Sequence, residues 1–201
     1  MTSKLRALTI ISALGAGVFL TACPGKLKIG CGGPMVGNEP TSVMMVFHNV
    51  NNPADADTAL YTAFGAMTSF SRAHVTLSAN TSYHVQVYFL NLNAAVNSAS
   101  YDMTPGVQKE SSSYLVCFNN TVNFYGNLAN DLTWTAEDLD ISTPKALPLD
   151  LTDSFRTGAD SCFGILTTTL HHQWKVKTGD CDPGSIDIQA SDTIYISPAK
   201  G

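Results

Sequence analysis

Charge is scarce in this chain. Only 13% of its 201 residues are Asp, Glu, Lys or Arg, about half of the ~25% usual in soluble proteins. Lys and Arg are scattered singly and the net charge is −5. Nucleic-acid binding needs a basic patch, so that class of function is excluded. Disorder needs low hydrophobicity together with high charge, whereas 44% of these residues are hydrophobic. No window carries a sustained apolar stripe at helical spacing, which argues against a helical bundle. No apolar run reaches the roughly 20 residues of a spanning helix. Signatures of catalysis are missing too: there is no G-x-S-x-G, no H-E-x-x-H, no P-loop and no Rossmann glycine fingerprint. The chain reads as non-enzymatic and long enough for one ordinary domain.

What is present begins with an address. Lys4 and Arg6 precede a mostly apolar run from Ala7 to Leu20, the right length for a signal-peptide core. Leu20-Thr21-Ala22-Cys23 closes it. This resembles the lipobox of bacterial lipoprotein precursors, whose terminal Cys is acylated before cleavage. The resemblance implies that residues 1–22 are a signal peptide and that Cys23 is the lipidated first residue of the mature chain. Several acyl chains anchor a protein durably. Position 24 is Pro rather than Asp, which favours the outer membrane within a bacterial cell envelope. Residues 23–40 then form a tether. Pro24 to Pro40 holds five Gly and three Pro, a composition that resists regular structure.

From Thr41 the pattern has period two, and residues 41–201 read as a single domain. Strands are predicted over Ser42–Val50, Ala73–Leu77, Tyr83–Leu92, Tyr114–Phe118, Leu132–Ala136, Leu147–Leu151, Gly164–Val176, Ser185–Ile188 and Thr193–Ile196. Tyr83, Val85, Val87 and Phe89 fall on one face. In the long segment Gly164–Val176, Leu166, Thr168, Leu170 and His172 share a side, and its length predicts a central strand paired on both edges. Thr58–Ser69 is the best helical candidate. The fold class is all-β, an antiparallel β-sandwich of Ig-like or Greek-key type with about 8–9 strands.

Four cysteines remain beyond Cys23, and an oxidising compartment favours disulfides. Three pairings of Cys31, Cys117, Cys162 and Cys181 are open. The bracketing of one strand by Cys162 and Cys181 favours joining them, which leaves Cys31 with Cys117. Among the histidines, His171 and His172 must point to opposite faces of a strand, while His84 and His172 could meet across strands as ligands for copper, zinc or nickel. Asp180, Asp182, Gly184 and Asp187 form a D-x-D-x-G-x-x-D run that offers oxygen ligands to calcium. The plainer reading makes these ordinary strand histidines and solvated turn acids, and the same holds for Asp138 and Asp140. Tyr88, Trp134 and Trp174 are candidate ligand-surface aromatics, with core packing as the alternative.

Several stretches resemble one family: Leu77–Asn91 ending in Phe-Leu-Asn, Thr104–Phe118, Thr157-Gly158, Gly164–Gln173 with its His-His-Gln, then Gly179-Asp180 and Asp187-Ile188. The family comprises lipoproteins common in Bacteroidota, often found beside TonB-dependent outer-membrane receptors. Its first His-Gln pair is absent here, where Tyr114 and Leu115 stand. The resemblance implies a sandwich with a surface-facing or periplasm-facing accessory role. The expectation is therefore a lipid-anchored, non-enzymatic binding or accessory lipoprotein without a cofactor beyond its lipid, possible partner a TonB-dependent receptor. The alternative is a metal-binding envelope lipoprotein using His84, His172, Asp180 and Asp182.

Overall fold

The alternating segments fold as strands. The computed structural model describes residues 39–62, 74–120, 128–141 and 145–198. The signal segment, Cys23, Cys31 and the tether up to residue 38 lie outside the described residues, as does the 63–69 part of the helical candidate.

Among the described residues there are nine strands: β1 (Ser42–Asn49), β2 (Ala56–Thr62), β3 (His74–Ser78), β4 (Ser82–Leu90), β5 (Tyr114–Asn120), β6 (Leu132–Ala136), β7 (Thr152–Thr157), β8 (Cys162–His172) and β9 (Ser185–Ser197). They form a sandwich of two sheets, ordered β2-β1-β4-β7-β6 and β3-β9-β8-β5. Two short helices, α1 (Thr104–Lys109) and α2 (Leu128–Asp131), sit in the connections. The five-stranded sheet is antiparallel throughout. In the four-stranded sheet β3 runs parallel to β9, which departs from the expected all-antiparallel pairing.

The inward rows are those that the alternation marks. Tyr83, Val85, Val87 and Phe89 of β4 are buried, opposite Leu166 and Leu170 of β8 and Ile188, Ile194 and Ile196 of β9. Aromatic rings knit the two sheets: Phe155 of β7 meets Phe47 and Phe118 edge-on at 5.8 and 5.2 Å and stacks on Trp134 at 5.8 Å. Trp134 is thus a half-buried core residue and not a ligand platform. β8 is central, with β5 on one side and β9 on the other.

Five segments differ from the sequence reading. The first part of the helical candidate is β2, because β1 offers it a full ladder from His48 to Ser42 and its Thr residues favour extended backbone. β7 carries Asp153 and Arg156 and so hides as a polar run, although Phe155 and Thr157 face inward. Leu147–Leu151 is no strand, yet it adds one bridge, Leu139 to Pro148. The last two predicted strands are one, because Asp192 interrupts the apolar row but not the ladder. β8 stops at His172.

The disulfide joins Cys117 to Cys181, and Cys162 is a free, buried thiol. This corrects the expected Cys162–Cys181 and Cys31–Cys117 pairings. Cys162 opens β8, whereas Cys181 is held against Cys117 opposite Thr169, seven residues or about 23 Å further along the strand. Cys117 instead pairs with Thr169 near the end of β8, where the loop 173–184 folds back within reach.

Candidate functional site

The sandwich has two ends. The chain enters at Glu39 and Pro40 beside Tyr114 and His172. The other end holds the close of β1, the start of β4 and the final residues of β3 and β9. At this far end, a cleft of about 770 Å³ opens where the edge strands β2 and β3 of the two sheets approach each other.

The walls of this cleft are polar. Asn49, Asn52, Asp55, Asp57, Thr76, Ser78, Thr81, Tyr83 and Ser197 line it. Much of the lining is held in place by its own hydrogen bonds. Asp57 accepts from the backbone N–H of Thr58 at 2.9 Å and, across the seam, from that of Thr76 at 3.0 Å. The second bond occupies an edge donor of β3 that would otherwise be open to another chain. The Tyr83 hydroxyl accepts from the Ser78 N–H at 2.7 Å. Thr157 ties the floor together, accepting from the Thr81 N–H at 2.9 Å and donating to the Ser78 carbonyl at 2.7 Å. Asn49 accepts from the Asn51 N–H at 2.9 Å, closing the β1–β2 turn.

Two carboxylates, several hydroxyls and two amides converge there, and no Lys, Arg or His is among the described lining residues. Such a wall offers hydrogen-bond donors and acceptors to a polar ligand and repels an anionic one. Sequence reading missed it, because the lining residues come from three separate stretches, 49–57, 76–83 and Ser197, and look like ordinary turn composition.

The residues singled out from sequence lie elsewhere. His84, on the outer face of the five-stranded sheet, places Nδ1 2.8 Å from Glu137 Oε2. Its neighbour across the ladder is His48. His172 belongs to the other sheet and stacks on Tyr114 at 4.8 Å. The structure therefore does not bring His84 and His172 together. Burial lowers the His171 pKa, with Asp182 acting against that shift. Asp180 accepts from the Thr178 hydroxyl at 3.1 Å, while its backbone carbonyl takes the Gln173 amide at 2.7 Å. Asp182 is exposed. Gly184 has φ +95°, and a Cβ there would collide with the His172 carbonyl, so this glycine serves the turn. Among the described residues, no three His, Cys, Asp or Glu side chains form a group that could hold a metal. Tyr88 is half-buried and donates to Gln86 at 3.0 Å. Trp174 is 65% exposed.

A smaller cleft of about 430 Å³ lies at the end where the chain enters, lined by Met103, Glu110, Tyr114, His172 and Asp187 among others. Burial, with Asp187 and Glu110 nearby, raises the Tyr114 hydroxyl to about 12.

The acids of the β6–β7 connection are not solvated turn residues. Asp140 is buried against Lys177. Asp138 accepts from the Leu151 N–H through both oxygens at 3.2 Å. Asp153 faces the interior, its carboxyl beside that of Asp150. Burial, then the charges of Asp150 and Asp138, pushes its carboxyl strongly upward, and burial also raises Asp150. Two carboxyls so placed share a proton rather than ionise together. Asp192 is buried with no hydrogen-bond partner among the described residues, and burial alone takes its pKa up to about 7.

Compared with known protein families, curated proteins and solved structures, the chain matches none.

Proposed function

We propose that this chain is a lipid-anchored lipoprotein of the bacterial envelope that binds a polar, uncharged or cationic ligand in the β2–β3 cleft without transforming it. The observation that carries this reading is the cleft's position. It opens at the end of the sandwich opposite Glu39, so a tether running back to a lipid on Cys23 leaves the cleft facing away from the membrane. Its lining supports binding, because its hydroxyls, amides and carboxylates offer hydrogen-bond donors and acceptors to a polar ligand. The resemblance to lipoproteins encoded beside TonB-dependent receptors supports an accessory role, handing a ligand to such a receptor.

Mass spectrometry of the native protein tests the anchor: the expected first residue is an acylated Cys23, and Cys23→Ala should leave the precursor uncleaved or release the protein. Calorimetric titration tests the cleft. Neutral oligosaccharides should bind, their sulfated counterparts should not, and Thr76→Arg should abolish the binding. An unmodified Cys23 would remove the anchor, and binding confined to sulfated sugars would remove the cleft.

A further inference from the structure

We propose that the end of the sandwich where the chain enters is a membrane-docking surface, with apolar loop tips seated in the headgroup region of the bilayer that holds the Cys23 lipid. This rests on the lipid anchor proposed above.

Exposed apolar side chains are concentrated at that end. Leu92 and Val96 follow β4, Leu139 and Ile141 follow β6, and Trp174 and Val176 follow β8. β4 and β8 end beside Tyr114, His172 and the point of chain entrance, and the β6–β7 connection runs on to that end, where Asp140 pairs with Lys177 and the Ile141 N–H donates to the Ser111 hydroxyl. At the far end, only Val50 and Tyr195 are large, apolar and exposed among the described residues.

The usual order of inside and outside is reversed in two of these loops. Asp140 and Lys177 pair at 2.9 Å with their side chains 0% and 3% exposed. Their chain neighbours Leu139, Ile141 and Val176 are turned out, at 61%, 71% and 49% exposure. Around the Leu139–Pro148 bridge the chain is extended, so drawing Asp140 inward sends Leu139 and Ile141 outward, while Val176 is displayed from the turn that its N–H closes on the Gln173 carbonyl. Burying charges while exposing hydrophobes is unfavourable in water, and it becomes favourable where the outside is itself apolar.

The exposed tips are also held firmly. Gln173, before Trp174, is fully buried and donates its N–H to the Ser113 carbonyl and its side-chain amide to the Asp180 carbonyl. Lys177, after Val176, is fixed by Asp140 and by the Ser111 carbonyl at 2.9 Å. The Cys117–Cys181 bridge pins the same loop further on. Trp174 is thus displayed from a braced turn, with the Lys175 ammonium 4.3 Å from its ring centre. An indole beside a lysine suits the boundary between acyl chains and phosphates, where Trp collects and Lys reaches for the headgroups.

The occupant follows from the connection. Fifteen residues lie between Cys23 and Glu39, so the lipid is at most about 55 Å of chain away. They attach at this same end, which keeps the bilayer at high effective concentration against these tips. Penetration of the kind seen for interfacial segments, about 5–10 Å, is enough to cover them.

The test uses the full-length protein purified from membranes and reconstituted into phosphatidylcholine vesicles. One set of vesicles carries bromine on the acyl-chain carbons nearest the glycerol. The chain has two tryptophans, and Trp134 packs on Phe155 inside the sandwich, so a Trp174→Phe variant isolates the Trp174 signal. The expected result is that Trp174 loses most of its emission in brominated vesicles. Leu139→Ser/Ile141→Ser/Val176→Ser should restore the emission while the protein still floats with the vesicles. Equal Trp174 emission in both vesicle types, from protein that floats, would overturn docking and leave the anchor standing, with a protein or small ligand as the occupant instead. Protein that does not float overturns the anchor and the docking together.

Discussion

Asp140 Oδ2 and Lys177 Nζ meet at 2.9 Å, out of water. They lie in different loops, and the lysine also holds the Ser111 carbonyl while Asp140 Oδ1 accepts from the Leu147 N–H. The pair therefore clamps the β6–β7 connection, the β8–β9 loop and the turn before β5. Removing one partner leaves the other charge buried alone, which typically costs about 3–5 kcal/mol. Lys177→Met should destabilise by that order in denaturant melts, and Lys177→Met/Asp140→Leu should recover part of the loss. A Lys177→Met variant as stable as the wild type would show that the pair clamps nothing.

The Cys117–Cys181 bridge spans 64 residues of sequence, and a loop of that size supports about 2–4 kcal/mol of stabilisation. Cys181→Ser should lower stability by that amount. Non-reducing peptide maps should recover Cys117 linked to Cys181, and the Cys162 thiol should react only after unfolding. A Cys162–Cys181 peptide in the map would contradict this connectivity.

Asp192 predicts a pH dependence. Its carboxyl ionises near 3.8 in the open chain and near 7 in the fold. Between those values the folded state binds more protons than the unfolded state, so stability falls as pH rises through the window. The full penalty, about 4 kcal/mol for a shift of this size, is present above the folded pKa. Asp150 and Asp153 are shifted upward too and act in the same direction. Thermal melts at pH 5 and pH 8.5 should show the wild type losing stability at the higher pH. Asp192→Asn should be the more stable protein at pH 8.5 and should lose less between the two. A wild type that gains stability over this range would refute the sign.

Leu170 is 1% exposed in the inward row of β8, while Thr167 faces outward and shares a 3.0 Å hydrogen bond with Ser191. Leu170→Ala should cost about 2–5 kcal/mol. Thr167→Ala should cost well under that, within the usual range of a surface hydrogen bond. Equal, small losses in denaturant melts would mean that the faces of β8 are assigned wrongly.

Much of this fold is legible along the chain, because a strand's two faces are written at alternate positions. The row Tyr83, Val85, Val87, Phe89 and the row Leu166, Thr168, Leu170 needed no partner to be recognised, and six of the nine strands were located to within a few residues. β7 and the middle of β9 were not, since Asp153 and Asp192 break the apolar rhythm that marks a buried face, and only the opposite sheet decides that these acids point inward. The parallel pairing of β3 with β9, the partner of Cys117 and the polar β2–β3 cleft all depend on contacts between residues far apart in sequence. Residue type and spacing carry no record of such distances. The lipobox reading is local, resting on four consecutive residues and their flanks. That Leu139, Ile141, Trp174 and Val176 gather at the end where Glu39 and Pro40 lie is a property of the folded molecule alone, because only there does the ion pair of Asp140 with Lys177 join their two loops.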